Sequence, residues 1–99
     1  MSYELVDQIL KPWSSAHQLH VYTEYKDEAV RSMDMVGDKD SKVQIWIDPV
    51  SPDGVVSVHL WDYHRRRKQL SGPVVDLNKL LDAAYQEATE WLSEPRGNL

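Results

Sequence analysis

The sequence predicts an α+β fold: a two-layer domain with an antiparallel meander sheet of about four strands and with N- and C-terminal helices packed on one face, in the order α-β-β-β-β-α. Three observations lead to this prediction. A hairpin pattern spans residues 42–64, a helical stripe follows Asp76, and all connections are short. Because parallel strands need long crossover connections, short connections favour antiparallel pairing.

The central segment 42–64 has the pattern of a β-hairpin. Two runs of β-branched and aromatic residues flank Pro52-Asp53-Gly54, which supplies the fixed φ, the Asx side chain and the positive-φ residue of a tight turn. Alternation assigns one face of the hairpin, the aliphatic face, to Val43, Ile45, Ile47, Val56, Val58 and Leu60. The opposite face, here called the aromatic face, carries Gln44, Trp46, Asp48, Ser57, His59, Trp61 and Tyr63. We expect both helices to pack on the aliphatic face and to leave the aromatic face open.

The N-terminal segment predicts a short amphipathic helix. Apolar residues recur at helical spacing over residues 2–13, and Ser2 can serve as the N-cap. We expect Pro12 to end this helix early, because the residue before a proline is pushed away from the α region.

Two strands are predicted between this helix and the hairpin. Alternation begins at Leu19 and gives a first strand to residue 26, and residues 29–36 form a second strand. A helical turn over residues 27–31 is the alternative to the start of that second strand. Residues 37–41 read as a loop in which Gly37 is free to adopt positive φ.

The C-terminal part predicts a long helix. We expect the last hairpin strand to continue through Tyr63 into the basic run 65–68, and Ser71-Gly72-Pro73 to break the pattern. Asp76 stands at the N-cap position, and the tail 94–99 is expected to fray. The helical stripe consists of Leu77, Leu80, Leu81, Ala84, Tyr85, Ala88, Trp91 and Leu92.

Length and composition indicate one cysteine-free domain. The chain has 99 residues, of which 41% are hydrophobic, which is enough for a single core without disulfides or metal. The N-terminus is acidic rather than basic, and no apolar run is long enough for a membrane span. We therefore expect a cytoplasmic protein without membrane association. The oligomeric state is left open by the sequence.

The charge distribution favours a cationic partner. The net charge is −5, although four of the eleven basic residues lie in one run, Arg65 to Lys68. Between Glu24 and Asp62 there are nine acidic residues and four basic ones. Such a field attracts basic proteins and repels phosphate backbones.

Catalytic and metal-binding patterns are weak in this chain. His17 and His20 are three residues apart near a predicted strand, where that spacing does not place both rings on one face. Ser57, His59 and Asp62 contain the residue types of a hydrolase triad, but alternation directs Asp62 away from the other two. We therefore expect no enzyme activity, no metal and no cofactor. An enzyme with a loop-built site remains an alternative hypothesis, and a pocket with pKa-shifted groups would support it.

The basic run provides the main alternative function. Next to Trp61 and Tyr63, the residues from Arg65 to Lys68 could bind nucleic acid through bases stacked on aromatic rings. The same run could also discourage edge-to-edge strand pairing and meet acidic residues of the C-terminal helix, such as Asp82, Glu87 and Glu90. The acidic field of the rest of the chain makes nucleic acid the weaker hypothesis.

The aromatic face is the strongest candidate for a binding surface. Aromatic residues mixed with polar groups are typical of the centres of protein interfaces. If the helices covered this face instead, its polar side chains would be buried and would need partners. The predicted partner-binding residues are Asp34, Asp38, Asp40, Trp46, Asp48, Asp53, His59, Trp61 and Tyr63.

In this combination of features the chain resembles the small cytoplasmic immunity proteins of bacterial toxin–immunity systems, such as those of contact-dependent growth inhibition. The resemblance lies in small size, acidic charge, the absence of cysteine, the VQIWID and VVSVHLWDYHRRRK hairpin and the DLNKLLDAAYQEATEWL helix. It implies a protein without catalytic activity that neutralises a cognate basic toxin, such as a nuclease, by binding it directly. The basic run departs from this pattern and would have to point away from the toxin or pair with its acids.

Overall fold

The structure, a computed structural model, describes residues 3–93 apart from the side chain of residue 39. The predicted cap Ser2 and the predicted fraying of residues 94–99 lie outside these residues. The helices are α1 (Glu4–Ala16) and α2 (Leu77–Ser93), with short 3₁₀ turns at Asp38–Asp40 and Val74–Asp76. The strands are β1 (Tyr22–Tyr25), β2 (Glu28–Val36), β3 (Lys42–Ile47), β4 (Val55–Trp61) and β5 (Arg67–Pro73).

The five strands form one antiparallel sheet in the order β1-β2-β3-β4-β5. This meander confirms the predicted α+β class, and the strand at residues 28–36 rules out the alternative helical turn over residues 27–31. The helices α1 and α2 flank the sheet in sequence, so the order is α-β-β-β-β-β-α.

The fifth strand corrects the predicted strand count. The chain does not continue β4 into the basic run, because it reverses after Trp61. The Asp62 carboxylate accepts hydrogen bonds from the backbone N–H groups of His64 and Arg66 at 2.8 and 3.1 Å. Residues 67–73 then pair with β4, and Gly72 lies opposite Val56 where a break was expected. The strand was missed because its sequence, RKQLSGP, lacks β-branched residues, as an exposed edge strand can.

Both helices pack on the aliphatic face, as predicted. Helix α1 contributes Val6, Leu10 and Trp13 to the core. The sheet and α2 contribute Met33, Met35, Val43, Ile45, Ile47, Val56, Val58, Leu60, Leu77, Leu81, Ala84 and Ala88. All these side chains are at most 7% exposed. Leu5, one of the apolar residues that predict helix α1, is instead 49% exposed.

Helix α1 continues past Pro12 to Ala16, so the prediction that Pro12 ends the helix is wrong. A proline inside a helix removes one backbone hydrogen bond and crowds the preceding turn. Tertiary contacts of Trp13 offset this cost, because its ring is buried and its indole N–H donates to an Asp82 carboxylate oxygen at 2.9 Å. The helix then ends with the His17 N–H bonded to the Trp13 carbonyl at 3.1 Å.

Residues with positive backbone φ angles occur in the turns that connect the strands. Lys26 and Asp27 have φ of 51° and 68°, as a two-residue type I′ hairpin turn requires. Gly54 has φ of 78°, in agreement with the predicted hairpin turn. In the loop after β2, however, Asp40 adopts the positive φ of 64°, whereas Gly37 has φ of −112°. Strand β1 begins at residue 22 and not at the predicted Leu19.

Candidate functional site

The aromatic face lies on the side of the sheet opposite the two helices and remains partly exposed. Strand pairing extends it beyond the hairpin, because Trp46 lies opposite Ser32 on one side and His59 on the other. Ser32 in turn lies opposite Tyr22 of β1. The expected open aromatic face is therefore present, and it spans the whole sheet rather than two strands.

A cleft of about 670 Å³ is formed around the β1 side of this face. Its walls combine aromatic rings with carboxylates. The lining residues are Tyr3, Tyr22, Glu24, Tyr25, Val30, Arg31, Ser32, Asp34, Gln44, Trp46, Ile47, Asp48, Trp61 and Tyr63. This volume is in the range of about 300–1,000 Å³ that is typical of ligand-binding sites.

Trp46 is held flat at the centre of the aromatic face. Its ring stacks on the His59 imidazole with centroids 4.8 Å apart and an interplanar angle of 7°. The Nε2 atom of His59 lies 2.8 Å from a carboxylate oxygen of Asp48, which follows directly after β3. The Asp48–His59 pair therefore orients the ring on which Trp46 stacks.

Tyr63 is held in an unusual backbone conformation at the edge of the cleft. Its φ of 69° lies in the left-handed region, which is uncommon for residues other than glycine and costs about 1–3 kcal/mol. Its hydroxyl donates a 2.5 Å hydrogen bond to Asp34, and its ring lies 4.6 Å from that of Trp61. Burial and the hydrogen bond to Asp34 raise the pKa of Tyr63, so its hydroxyl stays protonated as a donor.

Arg31 forms part of the cleft but does not leave a free positive charge there. Its guanidinium donates to both carboxylate oxygens of Asp7 at 2.7 and 3.0 Å. The same group lies 4.4 Å from the centroid of the Tyr3 ring. Hydrogen bonds from Arg31 lower the pKa of Asp7, as expected for a bidentate ion pair.

The basic run is divided between the two sides of the sheet. Lys68 forms an ion pair with Glu87 of α2 at 3.1 Å, as the sequence suggested for this run. Arg66 lies over the Trp91 ring of the same helix, with 5.5 Å between the guanidinium and the ring centroid. Arg67 instead lies 5.1 Å from the Trp61 ring centroid, at the border of the aromatic face. Arg66, Arg67 and Lys68 therefore do not form one continuous strip.

The predicted partner-binding residues do not all come together. Six of them lie on the aromatic face or at its edge: Asp34, Trp46, Asp48, His59, Trp61 and Tyr63. Asp38 and Asp40 lie in the 3₁₀ turn before β3, and Asp53 lies in the turn after it. These acids are therefore found at opposite ends of β3 and can act on a partner mainly through long-range attraction.

Several cleft residues were missed by the sequence analysis. The alternation that begins at Leu19 places Tyr22 and Glu24 on one side of the first strand, so a signal for these two exists in the sequence. Nothing in the sequence indicated Tyr3, because its contact with Arg31 joins the start of α1 to β2. Long-range contacts of this kind are set by helix packing on the sheet.

The residues considered for catalysis have other partners. The Ser57 hydroxyl shares a 2.8 Å hydrogen bond with the Ser71 hydroxyl, and His59 bonds to Asp48. Asp62 caps the backbone of the loop between β4 and β5. Among the described residues no group of three or more His, Asp or Glu side chains is placed to hold a metal ion.

Comparisons with protein-family models, with curated proteins and with solved structures find no match to this chain. Within residues 3–93, no helix has the length and apolar character needed to cross a membrane. The fold and the site define a class: an antiparallel α+β protein with an open aromatic and acidic sheet face.

Proposed function

We propose that this protein is a non-catalytic binding protein that uses the aromatic face to engage a basic protein partner. More specifically, we propose an immunity protein that neutralises a cognate basic toxin, such as a nuclease. The observation that carries the proposal is the position of Trp46 and Trp61 on the face that neither helix covers. Partly exposed tryptophans in a concave surface are typical anchors of protein interfaces.

Charge supports a cationic partner. Among the described residues, three carboxylates line the cleft, those of Glu24, Asp34 and Asp48, and the basic lining residue Arg31 is paired with Asp7. Further acids at both ends of β3 extend the negative field. Electrostatic attraction of this kind accelerates association, whereas desolvated aromatic anchors slow dissociation.

The two alternative functions have weaker support. For nucleic acid, the positive charge of Lys68 is neutralised by Glu87, and Arg66 and Arg67 lie against different tryptophans. For an enzyme, the shifted groups in the cleft are unsuitable for proton transfer. Burial raises the pKa of Tyr3 and of Tyr63 above 10, away from neutral pH.

The direct test pairs this protein with any toxin-like domain that a neighbouring gene encodes. We expect co-expression to restore the growth of cells that produce the toxin, and the purified proteins to form a one-to-one complex measurable by calorimetry. No rescue and no complex with that domain would contradict the proposed function. Normal binding by folded Trp61→Leu protein, together with loss of binding in Arg66→Glu and Arg67→Glu, would place the site on the basic run instead.

A further inference from the structure

We propose that the cleft accepts one arginine side chain presented by the protein partner. This inference rests on the proposed function, since it specifies what the aromatic face recognises. The occupant would insert its guanidinium between the aromatic walls of the cleft and pair it with carboxylates at the edge. Aromatic rings line the cleft, and carboxylates in it have oxygen atoms without a partner among the described residues. In addition, a ring and a carboxylate of this chain already bind Arg31.

The walls of the cleft suit a flat cation. Tyr22 and Trp46 belong to the same cross-strand row, joined through Ser32, and Trp61 and Tyr63 lie together at the β4 side. Aromatic faces attract cations through their quadrupoles, and a guanidinium also stacks on them. The cleft volume of about 670 Å³ leaves room for a long side chain and for part of its backbone.

The carboxylates of the cleft retain hydrogen-bonding capacity. Within the described residues, Asp34 receives the Tyr63 hydroxyl on Oδ1, and Asp48 contacts His59 through Oδ2. The second oxygen of each carboxylate has no such partner, so each can accept an N–H group from an incoming guanidinium. Asp48 is also half exposed, which leaves it accessible.

The chain itself provides a precedent at the edge of the cleft. Arg31 is held by two hydrogen bonds to the Asp7 carboxylate while its guanidinium lies 4.4 Å from the centre of the Tyr3 ring. A ring and a carboxylate therefore already bind an arginine in this region. Lys42 and Arg67 of the chain already lie 5.3 and 5.1 Å from the centres of the Tyr63 and Trp61 rings. The β1 side of the cleft, with Tyr22, Trp46 and Asp48, offers the same two kinds of group, and Arg31 is directed to Asp7 there.

The test uses a minimal probe and does not need the toxin. N-acetyl-arginine N-methylamide is titrated into the labelled protein at millimolar concentrations, and indole N–H resonances are followed by NMR. We expect the resonances of Trp46 and Trp61 to shift and those of Trp13 and Trp91 to stay in place. The uncharged citrulline analogue should bind at least about tenfold more weakly, because it lacks the cation–π and ionic contributions.

Variants distinguish binding of the probe in the cleft from general electrostatic attraction to the protein. Asp34→Asn and Tyr22→Leu should each weaken probe binding by about fivefold or more, since one removes a carboxylate charge and the other a ring. Glu90→Gln, which changes an exposed acid of α2, should leave it unchanged. The inference is overturned if the probe shifts neither Trp46 nor Trp61, or if the citrulline analogue binds equally well. Either result leaves the proposed function standing if the toxin complex still forms and depends on Trp61.

Discussion

The Tyr63 hydroxyl lies 2.5 Å from a carboxylate oxygen of Asp34, and this contact ties the loop after β4 to β2 across the intervening strand β3. It holds a tyrosine in the left-handed backbone region, with φ of 69°. Strained residues persist only where the surrounding structure fixes them, and they concentrate at functional sites. The contact therefore fits the proposal that the aromatic face is organised before any partner binds.

Removing the hydrogen bond between Tyr63 and Asp34 should destabilise the loop after β4 and leave the aromatic face unchanged. We expect Tyr63→Phe to lower the free energy of unfolding by about 1 kcal/mol, because one partly buried hydrogen bond is lost while the ring remains. Urea unfolding followed by circular dichroism measures the change. Tyr25→Phe is the matched control, since Tyr25 is 63% exposed and should show no loss. Equal stability of all three proteins would show that the bond to Asp34 does not stabilise the fold.

The Asp7–Arg31 pair should make stability depend on pH in a defined range. Hydrogen bonds from Arg31 lower the pKa of Asp7 below its ordinary value of 3.8, so the folded state favours the ionised carboxylate. This contribution is fully present above the unfolded-state pKa and is lost as the pH falls through the lower folded-state pKa.

We therefore expect Asp7→Asn to reduce the free energy of unfolding by about 1 kcal/mol at pH 7. The difference from the unaltered protein should be constant down to about pH 5 and should shrink below about pH 4. Urea titrations across this pH range test whether the difference in the free energy of unfolding shrinks on acidification. Glu90→Gln serves as the control, and a difference that grows on acidification would contradict the prediction.

Two glycines should resist substitution for different reasons. A Cβ atom at residue 37 would lie 3.1 Å from Leu92 Cδ2, so we expect Gly37→Ala to cost about 1 kcal/mol through crowding. Gly54 has open space around it but a φ of 78°, so Gly54→Ala should cost about 1 kcal/mol through backbone strain. Double-mutant cycles that combine each glycine substitution with Leu92→Ala distinguish crowding from backbone strain. The cycles should show coupling for residue 37 and additivity for residue 54.

The tryptophans of the aromatic face should govern the lifetime of the complex. We expect Trp46→Ala or Trp61→Ala to weaken toxin binding by about 2 kcal/mol or more, mainly through faster dissociation. Surface plasmon resonance measures both rates, and circular dichroism must show that each variant is folded. Val75→Ala, at a position that is 81% exposed outside this face, is the control. Unchanged dissociation in the folded tryptophan variants would exclude the aromatic face as the interface.

The acids before β3 should act on association instead. Neutralising both with Asp38→Asn and Asp40→Asn is expected to slow association and to weaken its dependence on salt, while dissociation changes little. Asparagine is chosen because residue 40 has φ of 64°, which asparagine tolerates. Stopped-flow fluorescence at several ionic strengths measures how the association rate depends on salt. A change confined to the dissociation rate would show direct contact between this turn and the partner.

The sequence alone determined those features that depend on local pattern. Alternation around Gly54 identified β3, β4 and their two faces, and the apolar stripe that begins at Leu77 identified α2 with its observed bounds. The position of Trp46 and Trp61 on the face without helices followed from the same alternation, since both helices pack on the aliphatic face. These predictions succeed because side-chain periodicity is set by the local backbone geometry of strands and helices.

Only the tertiary structure decided the features that join distant segments. Helix α1 continues past Pro12 because Trp13 bonds to Asp82, and β5 forms because Asp62 closes a loop that allows a polar segment to pair with β4. The cleft likewise needs Tyr3 at the start of α1 and Tyr63 after β4. The local sequence at these places favours a helix end or an irregular loop. Hydrogen bonds and burial between residues far apart in the chain outweigh those local preferences, and no local pattern encodes such contacts.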